Sequence, residues 1–105
     1  MSVQMVENWA RILGAVQQVE NFSELDDFDQ VTILVEQVES VENYPNLVST
    51  YLQEEDEPLL PVLMPVQVIS EYSITVGVVV ECRVRRAGPD RVFVRRDTVV
   101  VHRPG

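Results

Sequence analysis

The sequence predicts an α+β domain in which two to three N-terminal helices pack on a C-terminal antiparallel β-meander of two to three strands. Three observations predict it. Between Ser2 and Val41 apolar residues recur at spacings of three and four, the period of a helix with one buried stripe. Between Ser73 and His102 valines alternate with charged residues, the period of a half-buried strand. Pro58, Pro61 and Pro65 separate the two patterns. The chain therefore reads as one domain, residues 1 to 105, with a helical half at 1–57, a proline-rich connector at 58–65 and a β half at 66–103.

The first helix is expected over Ser2 to Phe22, with Val3, Val6, Trp9, Ile12, Leu13, Val16 and Val19 as its stripe. Gly14 inside it costs about 1 kcal/mol against alanine, which implies a bend or the close approach of another backbone. Ser23 followed by Asp26 resembles a capping box, so a second helix is expected from there to Glu42 on a stripe of Leu25, Phe28, Val31, Leu34, Val35, Val38 and Val41. Asn43-Tyr44-Pro45 interrupts the pattern. A short third helix is expected on Leu47, Val48, Tyr51 and Leu52, fraying in the acidic run from Gln53 to Glu57, where negative charge opposes its dipole. Trp9, Phe22, Phe28, Tyr44 and Tyr51 fall on or beside these stripes and are expected in the core.

Leu59 to Met64 is strongly apolar but interrupted by Pro61, which reads as an extended connector or edge. Val66, Val68 and Ile69 suggest a first strand. The main β-hairpin follows. Val76, Val78, Val80, Cys82 and Val84 alternate with polar residues, Ala87-Gly88-Pro89-Asp90 supplies the turn, and Val92, Val94 and Val99 to Val101 return. Pairing Val84 with Val92 and Cys82 with Val94 sets Val80 against Arg96, so a bulge is expected at Arg95-Arg96, after which Val78 meets Val99 and Val76 meets Val101.

Charge is divided between the halves. Residues 1 to 60 carry thirteen acids against Arg11 alone, and residues 61 to 105 carry seven arginines against four acids, for a net charge of −9 with no lysine. That net charge opposes non-specific attraction to nucleic acid or anionic membrane. No signal peptide or membrane-spanning stretch is visible, and the lone Cys82 cannot form an internal disulfide, which points to a cytoplasmic protein.

The candidate partner-binding residues are Arg83, Arg85, Arg86, Arg91, Arg95 and Arg96, crowded around the hairpin turn with Phe93 as the one interleaved aromatic. Guanidinium geometry matches carboxylate and phosphate, so these residues either bind an external anion or pair with the acidic helices. Asp26, Asp27 and Asp29, and Glu54 to Glu57, lack the spacing of a calcium loop. His102 has no second histidine or cysteine beside it, and no catalytic set can be assembled around it. No catalytic residue, metal site or cofactor is expected. The function read from these features is that of a small, acidic, non-enzymatic interaction and assembly module that self-associates through its β half. Two alternatives stand beside it. One is a regulatory binder of a charged partner, either nucleic acid at the arginine tip or a basic protein at the acidic helices. The other, more remote, is a carboxylate-dependent enzyme.

Overall fold

The computed structural model describes residues 7–53, 56–88 and 91–102. They form six strands and two short helices: β1 (Ala10–Asn21), β2 (Phe28–Ser40), α1 (Leu47–Gln53), β3 (Leu59–Pro65), α2 (Val66–Glu71), β4 (Val79–Arg86), β5 (Val92–Val94) and β6 (Val100–His102), with a 3-10 turn at Arg96–Thr98 between the last two. The first three strands form an antiparallel meander. β4 then returns to lie beside β1, and β5 closes the circle between β4 and β3, giving the order β1-β2-β3-β5-β4-β1. The product is a closed five-strand barrel with Greek-key connectivity. Its one parallel seam is the β3–β5 contact at Leu63 and Phe93. β6 lies outside the circle on the same side of β4 as β5, paired with Val79 to Glu81.

This overturns the expected α+β architecture. The two long N-terminal helices are the strands β1 and β2, and the reason lies in two bulges. Along β1 the register against β2 shifts between Leu13 and Gly14 and again between Val16 and Gln18, so that Glu36 and Gln17 are left as extra residues. Each bulge inserts one position into a period-two pattern and converts a step of two into a step of three. Val16 to Val19 and Val35 to Val38 are these steps, and they imitate a helix stripe. The β-branched content of Val31, Thr32, Ile33, Val35 and Val38 favours the strand. The Ser23–Asp26 segment is the turn between the strands and not a helix cap.

The remaining corrections follow from closure. Leu59 to Pro65 is not a connector but β3, hydrogen-bonded to β2 along its whole length. Val66 to Ile69 is not a strand but the start of α2, which opens directly after Pro65. The short helix expected at Leu47 is present as α1, with Asn46 Oδ1 accepting the Ser49 N–H at 3.0 Å as its cap. The long β-hairpin is replaced by β4 and a three-residue β5 in a register two residues away from the expected one, Val84 opposite Val94 and Arg86 opposite Val92. Where a bulge was expected at Arg95-Arg96, the chain makes the 3-10 turn, after which Val80 meets Val101. Val3, Val6, Glu54, Glu55, Pro89 and Asp90 lie outside the described residues.

The core is aliphatic. Ile12 and Val16 from β1, Val31 and Ile33 from β2, Leu60, Val62 and Met64 from β3, Val80, Cys82 and Val84 from β4, and Val92 from β5 point inward. Each fully buried branched side chain contributes roughly 1.5–3 kcal/mol. α1 seats Val48 in this core, α2 seats Val68, and Ile74 follows behind it. Of the aromatic residues expected in the core, Tyr51 packs against it partly buried, Trp9, Phe22 and Phe28 are half-buried outside it, and Tyr44 is exposed. Gly14 faces inward at the first bulge. A Cβ there would collide with the Leu34 carbonyl and sit 2.7 Å from Ile33 Cγ2, so glycine serves the close approach of two backbones. No helix among the described residues is long and apolar enough to cross a membrane. The Cα radius of gyration, 13.2 Å, is that of a compact chain of this length.

Candidate functional site

Closure of the barrel puts every second strand residue on its outside, and two outer walls of different chemistry result. The first spans β1, β2 and β3. Ala15, Leu34 and Leu59 stand in one cross-strand row, Thr32 and Pro61 in the next, and Leu13 beside them. These residues are half-buried, while their inward neighbours are fully buried. β3 is thus apolar on both faces, a pattern that belongs to strands covered on both sides. The loop between β1 and β2 at the end of this wall carries exposed Glu24, Asp26 and Asp27.

The second wall is the outer face of β4 with the chain that flanks it. Glu81, Arg83 and Arg85 alternate outward along β4. Arg11 lies across from Arg83 on β1, and Arg95 on the other side donates its backbone N–H to the Arg83 carbonyl at 2.8 Å. Arg11 bridges Glu39 at 2.6 Å and Glu81, and the carboxylate of Glu39 first, then that of Glu81, raises its guanidinium pKa further above the ordinary value. Arg95 pairs with Asp97 at 3.0 Å and lies over the Trp9 ring at 5.7 Å. Cys82, directly beneath, is buried, and its thiol pKa is pushed up to about 12 by burial first and by the charge of Glu81 second.

The six arginines singled out from sequence do not share one hairpin tip. Arg83, Arg85 and Arg95 are on the second wall. Arg86 ends β4, where its backbone N–H and carbonyl are both held by the buried Asn8 side chain at 2.8 Å, and its guanidinium lies 5.4 Å from the Tyr51 ring centre. Arg91 pairs with Glu24 and lies 5.8 Å from the Phe22 ring centre. Arg96 donates to Gln67 Oε1 at 3.2 Å. Phe93 packs edge-on against Phe28 with ring centres 5.7 Å apart, and it faces Arg85 across the β4–β5 pair. Phe22, Phe28 and Phe93 therefore gather at one pole of the barrel with Arg85 and Arg91, between the β1–β2 and β4–β5 connections.

Sequence reasoning missed Asn8, Trp9, Arg11 and Thr98. Arg11 carried a signal, since it is the one cation among the first sixty residues. Asn8 and Trp9 had none, because their partners Arg86 and Arg95 are far away in the chain, and Thr98 had none, because its role depends on the 3-10 turn that brings it to Arg83. Among the described residues no three metal-ligating side chains converge, and His102 is exposed on β6. Comparisons with protein-family models, with curated proteins and with solved structures find no match.

Proposed function

We propose that the chain is a small non-enzymatic interaction and assembly module that self-associates through the outer wall of its barrel. The apolar outer wall of β1, β2 and β3 carries this reading. Leu13, Ala15, Leu34, Leu59 and Pro61 occupy positions where a barrel bathed in water alternates to polar residues. A second copy offers the same surface, and a two-fold pairing covers both at once. Five-stranded Greek-key barrels of the OB type bind chain-like ligands across strands 2 and 3 and between the 1–2 and 4–5 loops. Here that face is oily and its rim acidic, which favours a protein over a polyphosphate. Arg11, Arg91 and Arg95 each hold a carboxylate of the same chain, Arg11 two of them, which is how guanidiniums serve a binding surface. The single, buried Cys82 suits a reducing compartment, and we assign the module to the cytoplasm on that ground.

Light scattering after size exclusion tests self-association. A dimer or larger species at tens of micromolar, reduced to monomer by Leu34→Glu without loss of folded signal, is the expected result. A monomer at every concentration removes this reading. A second reading, binding of single-stranded nucleic acid, draws on the gathering of Phe22, Phe28 and Phe93 with Arg85 and Arg91, since bases stack on aromatic rings beside cations. Its check is retention of an oligothymidylate that falls steeply with salt and is lost in Phe93→Ala.

A further inference from the structure

Arg83 has both backbone polar groups committed to one side of β4. Its N–H donates to Thr98 Oγ1 at 2.9 Å, its carbonyl accepts from the Arg95 N–H, and the Thr98 hydroxyl donates to the Arg95 carbonyl at 2.6 Å. Nothing remains for a ladder bond toward β1. Arg83 and Arg11 are therefore a non-hydrogen-bonded antiparallel pair, the closer kind, with Cα atoms about 4.5 Å apart and side chains side by side. Like charges placed directly opposite repel.

The flanking cations are answered from within the chain. Arg11 holds Glu39 and Glu81, and Arg95 holds Asp97 and stacks on Trp9. The Arg83 guanidinium is exposed and has no hydrogen bond or ion pair among the described residues. Arg11, Glu81, Arg83, Arg95, Asp97 and Thr98 line a recess of about 380 Å³ there. In this row of three guanidiniums the central one, Arg83, has no ion pair among the described residues, and Thr98 and Arg95 hold its backbone in place.

The geometry points to a carboxylate-binding recess for an acidic peptide segment, in which Arg83 supplies the free two-pronged donor and Arg11 and Arg95 the positive flanks. The volume lies at the small end of ligand sites, roughly 300–1,000 Å³, and holds one or two side chains. Planar guanidinium matches planar carboxylate through two parallel N–H···O bonds. Glu81 and Asp97 in the lining decide against nucleic acid: they interrupt the positive row, and a continuous phosphate track has no donor to offer them. A peptide meets the same two carboxylates with its backbone N–H groups. This site is on the opposite chemistry of the barrel from the apolar wall and does not depend on self-association.

Trp9 is the only tryptophan in the chain and sits against Arg95, so its fluorescence reports occupancy. The experiment titrates the full chain with end-capped hexaglutamate, with hexathymidylate and with inorganic phosphate, in wild type, Arg83→Ala and Arg83→Lys. Both variants keep the backbone clamp. The expected result is a saturable change in Trp9 emission with hexaglutamate, weakened at least tenfold in Arg83→Ala and partly restored in Arg83→Lys. No saturable change, an unaltered affinity in Arg83→Ala, or tighter binding of hexathymidylate or phosphate than of the peptide overturns the assignment.

Discussion

The β1–β3 wall and the β4 wall stand on the same barrel and alternate in the same way, yet one is oily and the other carries guanidiniums. The difference begins in two strands. In β3, Leu59, Pro61 and Leu63 occupy the outward positions, whereas in β4 those positions hold Glu81, Arg83 and Arg85. Inward, both strands carry fully buried aliphatics. The core therefore does not distinguish the walls. What a barrel strand does for the fold is written on its inner face, and what it does for a partner is written on its outer one.

The contrast is open to measurement, beginning with the core that both walls share. Ile33→Ala removes a fully buried side chain beneath the apolar wall and is expected to lower unfolding free energy by about 4 kcal/mol in urea titration, the usual range for such a cavity. A loss below about 1 kcal/mol contradicts the barrel core. Gly14→Ala acts on β1, the strand common to both walls. Its Cβ meets backbone and not a flexible side-chain end, so a loss of about 2–3 kcal/mol is expected, whereas Gly77→Ala, with a φ of 95° and open space around it, costs about 1 kcal/mol. Equal effects at the two glycines argue against the bulge.

Beneath the β4 wall, Cys82 gives a pH signature. Its folded pKa, about 12, is raised above the ordinary 9.0, so the unfolded chain releases the proton first as pH rises. The thiol's contribution is complete below pH 9 and is lost progressively between pH 9 and 12. Stability of wild type should fall across that window more than that of Cys82→Ala, and the native thiol should resist Ellman's reagent at pH 8 until the protein unfolds. Rapid labelling of the native protein refutes the burial. The outer positions bring the smallest changes in stability. Leu34→Glu should shift unfolding by less than about 1 kcal/mol, since its side chain is partly solvated, and Arg11→Ala should leave the unfolding midpoint almost unmoved, since exposed ion pairs contribute little. They should differ in association, with Leu34→Glu alone changing the light-scattering mass.

Part of this was readable beforehand. The alternation from Val80 to Val84 identifies β4, Asn46 and the Leu47 to Leu52 pattern identify α1, and the period-two face that holds Cys82 is the buried one. The first two strands were not readable by periodicity, because the extra residues Gln17 and Glu36 lengthen one step in each strand to three. Their β-branched composition was the better witness. β3 was hidden for a different reason: a proline within a strand ordinarily marks an edge, and the run was apolar on both faces, so no alternation could be seen. The six arginines were close in sequence, but a three-residue β5 and the 3-10 turn after it send them to different parts of the surface.

Sequence alone determined the chain's charge division, its lack of lysine, the aliphatic residues available for a core and the placement of Cys82 on an inward face, because these depend on composition and on the local pleat of one strand. Only tertiary structure decided that the chain closes into a barrel, that Arg11 from the acidic half stands beside Arg83, and that Trp9 lies under Arg95. Those outcomes depend on the register of β1 against β4 and on where the turn after β5 returns Arg95, contacts about seventy to ninety residues apart in sequence, and no local periodicity encodes such a meeting.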